Sequence, residues 1–140
     1  MIRILDRLWL GNKDDIELGG DTLAILGFVA VLDLREQAHA DKVKIVGGVE
    51  VAEFRFSDGT APDSESAEAA LAFVAKEIRS GRVLVACQAG MSRSVSAVVA
   101  YLVSVGHSPA DAFALLKSVH PRASPFPATL GGWLRSAVSE

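Results

Sequence analysis

The segment "RVLVACQAGMSRSVSAVVAYLVSVG", residues 82–106, constrains the fold more than any other stretch. Val83–Ala86 carries no polar residue, so a strand there must be covered on both faces. Small residues follow. An apolar helix is then predicted from about Ser94 to Val105, with Gly106 as its stop. A strand buried on both sides that feeds a helix belongs in an α/β domain, with a single central, mostly parallel sheet flanked by helices. The chain's 140 residues, half of them hydrophobic, suffice for one such domain over 1–140 and not for two.

The flanking sequence fits that plan. Short strands are predicted at Ile2–Ile4 and Leu8–Leu10, before the turn-prone Gly11-Asn12. A short helix from Asp21 or Thr22 stops near Gly27 and leads into a strand over Val29–Leu34. "VEVAEFRF" alternates as another strand, ending at Phe56, and "SDGTAPD" (57–63) is loop by composition. Asp63 or Ser64 caps a helix bearing Ala67, Ala70, Leu71, Val74, Ala75 and Ile78, with Gly81 as the stop. Ser108, Pro109 and Asp111 open a further helix that His120-Pro121 ends. Leu130, Trp133, Leu134 and Val138 mark the last.

A net charge of −3 argues against nucleic acid or an anionic membrane as partner. Arg3, Asp6 and Arg7 interrupt the N-terminal apolar residues, unlike a signal peptide, and "VSAVVAYLVSVG" is too short to span a bilayer. Cys87 is the only cysteine, which rules out an internal disulfide or a Cys-rich metal site and suits a reducing compartment. The expectation is a soluble, cytoplasmic, monomeric domain without metal or cofactor. His39, His107 and His120 lack metal-ligand spacing and read as surface or turn residues. Arg35 and Arg122 read as solvated, near enough to flank a pocket, and Trp9 and Trp133 as core residues.

The connection "CQAGMSR" between strand and helix is suited to an anion. Backbone N–H groups of such a loop converge, and the following helix N-terminus adds partial positive charge. Gly90 permits close backbone approach. Arg93 offers a two-pronged fork for two oxygens of a phosphate, which lysine cannot copy. The same field favours the thiolate of Cys87, the nucleophilic form. A lone cysteine at a strand end is more often plain core. However, Gly at +3, Arg at +6 and Ser at +7, each at a frequency of about one in ten to twenty, coincide by chance only roughly once in a few thousand cysteines.

"CQAGMSRS", Cys87 to Ser94, resembles the Cys-x5-Arg signature of cysteine-dependent protein phosphatases, in the form found in dual-specificity phosphatases. "LDRLWLGN" and "LGFVAVLDLRE" are similar to other parts of that family, so the resemblance runs through nearly the whole chain. It implies a phosphotyrosine-phosphatase-like fold. It also implies a phosphocysteine intermediate on Cys87, a phosphate cradle of Gln88, Ala89, Gly90, Met91, Ser92 and Arg93, and a Ser94 hydroxyl that assists the sulfur as leaving group. The implied substrate is a phosphoprotein, with phosphotyrosine foremost and phosphoserine and phosphothreonine beside it. Other users of similar loops differ. Rhodanese-type enzymes place the arginine one residue closer, and arsenate reductases need further cysteines.

Departure of the alcohol requires a proton donor. Asp58 lies at a position similar to the family's acid, and Asp63 has a separate task as helix cap. Two departures stand out. The family's histidine before the cysteine is Ala86 here, which should weaken the thiolate. Pro125-Phe126 stands where the family often has Pro-Asn, which should remove a loop support. These departures keep open a pseudophosphatase that binds phosphate without turnover. A phosphatase of sugar or inositol phosphates is the other alternative.

Overall fold

The computed structural model of the chain describes residues 1–36 and 42–138. His39 lies outside them. In chain order the elements are β1 (Ile2–Arg3), β2 (Leu8–Gly11), α1 (Lys13–Ile16), α2 (Gly20–Ile25), β3 (Phe28–Asp33), β4 (Lys42–Val46), β5 (Val49–Glu53), α3 (Ser64–Glu77), β6 (Arg82–Ala86), α4 (Arg93–Ser104), α5 (Pro109–Val119) and α6 (Pro127–Val138). The strands form one sheet in the order β1-β2-β6-β3-β5-β4. The β2–β6, β6–β3 and β3–β5 pairs are parallel, while β1 and β4 are antiparallel edges. This is the α/β architecture expected from the sequence.

Residues of β6 alternate between two cores, as its unbroken apolar character requires. Val83 and Val85 join the larger core with α3, α4, α5 and α6, where Trp133 is fully buried. Leu84 and Ala86 join a smaller one with Leu23, Phe28, Val31 and Val49, closed by α1 and α2. Helix α4 is buried from Arg93 to Leu102, which explains why it is apolar all round.

The last residues of four strands lie in one row: Gly11 opposite Ala86, Ala86 opposite Asp33, and Asp33 opposite Glu53. The chain leaving β6 therefore emerges from the middle of the sheet's carboxyl edge, flanked on both sides. This is where ligands of open α/β sheets bind.

Two elements were not foreseen. Asn12, read only as a turn, caps α1: its side chain accepts from Asp14 and Asp15 while the Asp15 carboxylate takes the Asn12 N–H. The edge strand β4, "KVKIV", was not anticipated either, although its alternation is the period of a strand. The strand expected to reach Phe56 ends at Glu53, because its neighbour β3 ends opposite at Asp33. The Phe54 N–H still reaches the Asp33 carbonyl at 2.9 Å, and beyond it the chain is outside the strand, with Phe54 and Phe56 both buried. Helix α6 begins at Pro127, three residues before the first apolar position read as its marker. Among the described residues no helix is long and apolar enough to cross a membrane.

One buried acid gives a stability prediction. Burial on α3 raises the Glu77 carboxyl above its ordinary value, helped by a hydrogen bond and the charge of Glu50 and opposed by Lys76. The native state thus holds a proton that the unfolded chain releases. Its contribution is full below the ordinary carboxyl value near 4.5 and is lost as pH rises through the raised one. Glu77→Gln should flatten the decline of Tm as pH rises from 4.5 and leave the variant more stable once pH is above the raised value. A Tm–pH profile parallel to that of the wild type would contradict the assignment.

Candidate active site

After β6 the backbone N–H of Cys87 still reaches the Gly11 carbonyl at 3.4 Å, extending the ladder by one residue. The loop then turns away. Three of its carbonyls point outward to partners: Gln88 to the Lys13 N–H at 3.1 Å, Gly90 to His120 Nε2 at 2.8 Å, and Met91 to the Ser124 N–H at 2.9 Å. In a trans peptide the N–H lies opposite the C=O. The amides of Ala89, Met91 and Ser92 are thereby directed away from these partners. Gly90 is required twice over. Its φ is +71°, and a Cβ would lie 2.9 Å from the Gly11 carbonyl oxygen.

The cysteine is 2 % exposed and its Sγ lies 3.2 Å from Ser94 Oγ in the first turn of α4. Ser92, the helix N-cap, does not cap with its side chain. Its hydroxyl instead accepts the Phe126 N–H at 3.1 Å. This bond is made by main chain, so the identity of the side chain at 126 does not affect it.

Arg93 is 7 % exposed, and one nitrogen anchors it. Nη1 donates to the Phe56 carbonyl at 2.9 Å and to the Leu34 carbonyl at 3.4 Å. Its Nε is buried and has no hydrogen-bond partner. A guanidinium grips two oxygens of one anion through adjacent N–H groups. Here the anchoring nitrogen lies at the opposite end from Nε, so the edge that carries Nε is free for an oxyanion. A buried donor left unpaired is unfavourable by about 1–3 kcal/mol unless something binds it.

Asp58 lies two residues beyond the carbonyl that Arg93 holds. It is exposed, and its carboxylate accepts the Gly59 N–H at 3.1 Å. Asp63 is the N-cap of α3, accepting from the Ser66 N–H at 3.0 Å, the capping task the sequence suggested. Ala86 is fully buried with its side chain in the smaller core, on the face of the sheet away from Cys87.

Two expectations need correction. His120 is not a surface residue: it is 8 % exposed, and its ring holds the Gly90 carbonyl. Arg35 is not simply solvated. It makes a two-pronged pair with the buried Asp33, at 3.0 Å through Nε and 2.8 Å through Nη2, and this bonding raises its pKa against the opposing effect of burial. It lies beside a crevice near Leu23, Val31 and Val51, all outside the cysteine loop. Arg122 is exposed as expected.

Comparison with known proteins places the arrangement. Residues 8–134 match the family model described as dual specificity phosphatase, catalytic domain. No curated protein matches the chain by sequence. The crystal structure of human DUSP28 is 26% identical, with 99% of this chain and 96% of that one covered and a TM-score of 0.83. A mouse putative dual specificity phosphatase complexed with zinc tungstate is 25% identical, covering 99% of this chain and 86% of that one, also at 0.83. Human tyrosine phosphatase-like serine/threonine/tyrosine-interacting protein shares the fold, at 22% identity over 99% and 93% and a TM-score of 0.75.

Proposed function

Given that this chain belongs to the dual specificity phosphatase family, we propose that it hydrolyses phosphoprotein monoesters, phosphotyrosine foremost, through a phosphocysteine on Cys87. The observation that carries this reading is Arg93, anchored by two carbonyls through one nitrogen while its buried Nε remains unpaired beside the loop. The tungstate named with the mouse relative is a tetrahedral oxyanion like phosphate, the kind of ligand an anion cradle suits.

In the first step the Cys87 sulfur attacks phosphorus, forming a P–S bond as the P–O bond to the alcohol breaks. Loop amides and Arg93 bear the charge of the equatorial oxygens. Asp58 delivers its proton to the departing oxygen and becomes a carboxylate. In the second step that carboxylate takes a proton from water, whose oxygen attacks phosphorus. Sulfur leaves as thiolate, and the Ser94 hydroxyl at 3.2 Å hydrogen-bonds the charge it regains. A short chain without long insertions near the loop favours a shallow cleft, which suits broad acceptance of phosphoserine and phosphothreonine as well.

Purified protein should hydrolyse para-nitrophenyl phosphate with chelator present. Asp58→Asn should lower kcat/KM by about 100-fold or more on poor leaving groups such as phosphotyrosine, and much less on esters of acidic phenols. Equal losses on both would remove Asp58 from the mechanism. Ala86 supports a second reading, a phosphate-binding module with negligible turnover, since no imidazole sits before the cysteine. Tight oxyanion binding without hydrolysis of either ester would select it over the first.

A further inference from the structure

Resting on the assignment of Asp58 as the acid, we propose that the first turns of α6 form a seat for the acid-bearing loop, with Thr129 as the positioning residue. Thr129 is 1 % exposed, and its hydroxyl is used in both directions. Its Oγ1 accepts the Gly59 N–H at 3.1 Å and donates to the Thr60 carbonyl at 2.9 Å. Both partners follow Asp58 directly, across 70 and 69 residues of chain. One turn further along the same helix face, Gly132 lets the loop come close. A Cβ there would stand 2.5 Å from Pro62 Cδ and 2.9 Å from Ala61 Cβ.

The loop is thus fixed at two ends. Arg93 holds Phe56 before the acid, while Thr129 and Gly132 hold residues 59–62 after it. Between these ties only Ser57 and Asp58 are unsupported by other elements in the described contacts, and both are exposed. Gly59, at φ +86°, turns the chain immediately after the acid, and its N–H holds the preceding carboxylate. The Gly59 N–H is shared between Asp58 Oδ1 and Thr129 Oγ1. Removing the hydroxyl leaves the Gly59 N–H with Asp58 Oδ1 alone and the Thr60 carbonyl without this donor, so the segment carrying the acid loses its tie to α6. Misplacement on the order of 1 Å is enough to lower a rate by about 100-fold.

The test compares Thr129→Val, which keeps the shape and removes both bonds, with Thr129→Ser, which keeps the hydroxyl. Each is measured as kcat/KM on phenyl phosphate, whose leaving group needs a proton, and on 2,4-dinitrophenyl phosphate, whose leaving group does not. The ratio of the two rates within one preparation is independent of the folded fraction, so a partly unfolded variant still gives an answer. Thr129→Val should depress the ratio by about tenfold, Thr129→Ser should restore it to within about twofold, and Asp58→Asn/Thr129→Val should be no worse than Asp58→Asn alone. A wild-type ratio in Thr129→Val, or a further fall of the ratio in the double variant, would overturn the seat while leaving the acid in place. An unchanged ratio in Asp58→Asn would instead remove the acid assignment, and the seat's catalytic meaning with it.

Discussion

Cys87→Ser is expected to abolish turnover while leaving oxyanion binding in place. A serine hydroxyl at this position has nearly the size of the thiol and can keep the contact with Ser94 at the loop's base. It does not ionise near neutral pH, and among the described contacts its side-chain partner is a hydroxyl, that of Ser94, rather than a base, so the attack on phosphorus fails. The fall in kcat should be at least about 1000-fold, with tungstate still raising Tm. Because the chain has one cysteine, the chemistry can also be read by mass. One equivalent of iodoacetate should add once and inactivate fully, and bound phosphate should protect. Turnover in Cys87→Ser within tenfold of wild type would end the phosphocysteine mechanism.

The second large effect belongs to Arg93→Lys. Arginine does two jobs with different nitrogens: Nη1 satisfies the Phe56 and Leu34 carbonyls, and the edge bearing Nε is left for the anion. A lysine has one nitrogen and must choose between them. If it points to the anion, two carbonyls lose a donor and the acid-bearing loop loses its first tie. If it points to the carbonyls, the anion loses its fork. Either way kcat/KM should fall by about 1000-fold, since removing a single transition-state donor alone is typically worth 100- to 1000-fold. Stabilisation by tungstate should weaken in parallel. A variant within tenfold of wild type on para-nitrophenyl phosphate would mean that the arginine is structural only.

Both predictions start from residues that are legible in the sequence itself. The spacing from Cys87 to Arg93 and the apolar strand and helix around it are local patterns, and each has a local physical cause. The cap at Ser108-Pro109 and the cap at Asp63 were read the same way, and the side chains of Ser108 and Asp63 accept the N–H groups expected of them. Misreadings gather where one residue meets another far away. His120 ends a helix by its neighbour proline, which the sequence displays. That its ring holds the Gly90 carbonyl, 30 residues back, it does not display. Asn12 showed its turn preference but not the buried end of the cysteine loop that its short helix supports through the Lys13 N–H. The bond from the Phe126 N–H to Ser92 is likewise not displayed, since it is made by backbone, which every residue but proline can offer.

The amino-acid order by itself determined a strand covered on two faces, the turn that follows it, and the set of groups able to grip a tetrahedral anion. Periodicity, caps and glycine placement act over a few residues and leave their mark in composition. Only the tertiary structure decided how that grip is aimed: which carbonyls hold Arg93 at one end, which hydroxyl receives the loop after Asp58, and which ring braces Gly90. These are meetings of single donors with single acceptors across long stretches of chain. A hydrogen bond of that kind imposes no repeat on the sequence at either end, so it becomes visible only once packing has brought the two groups together.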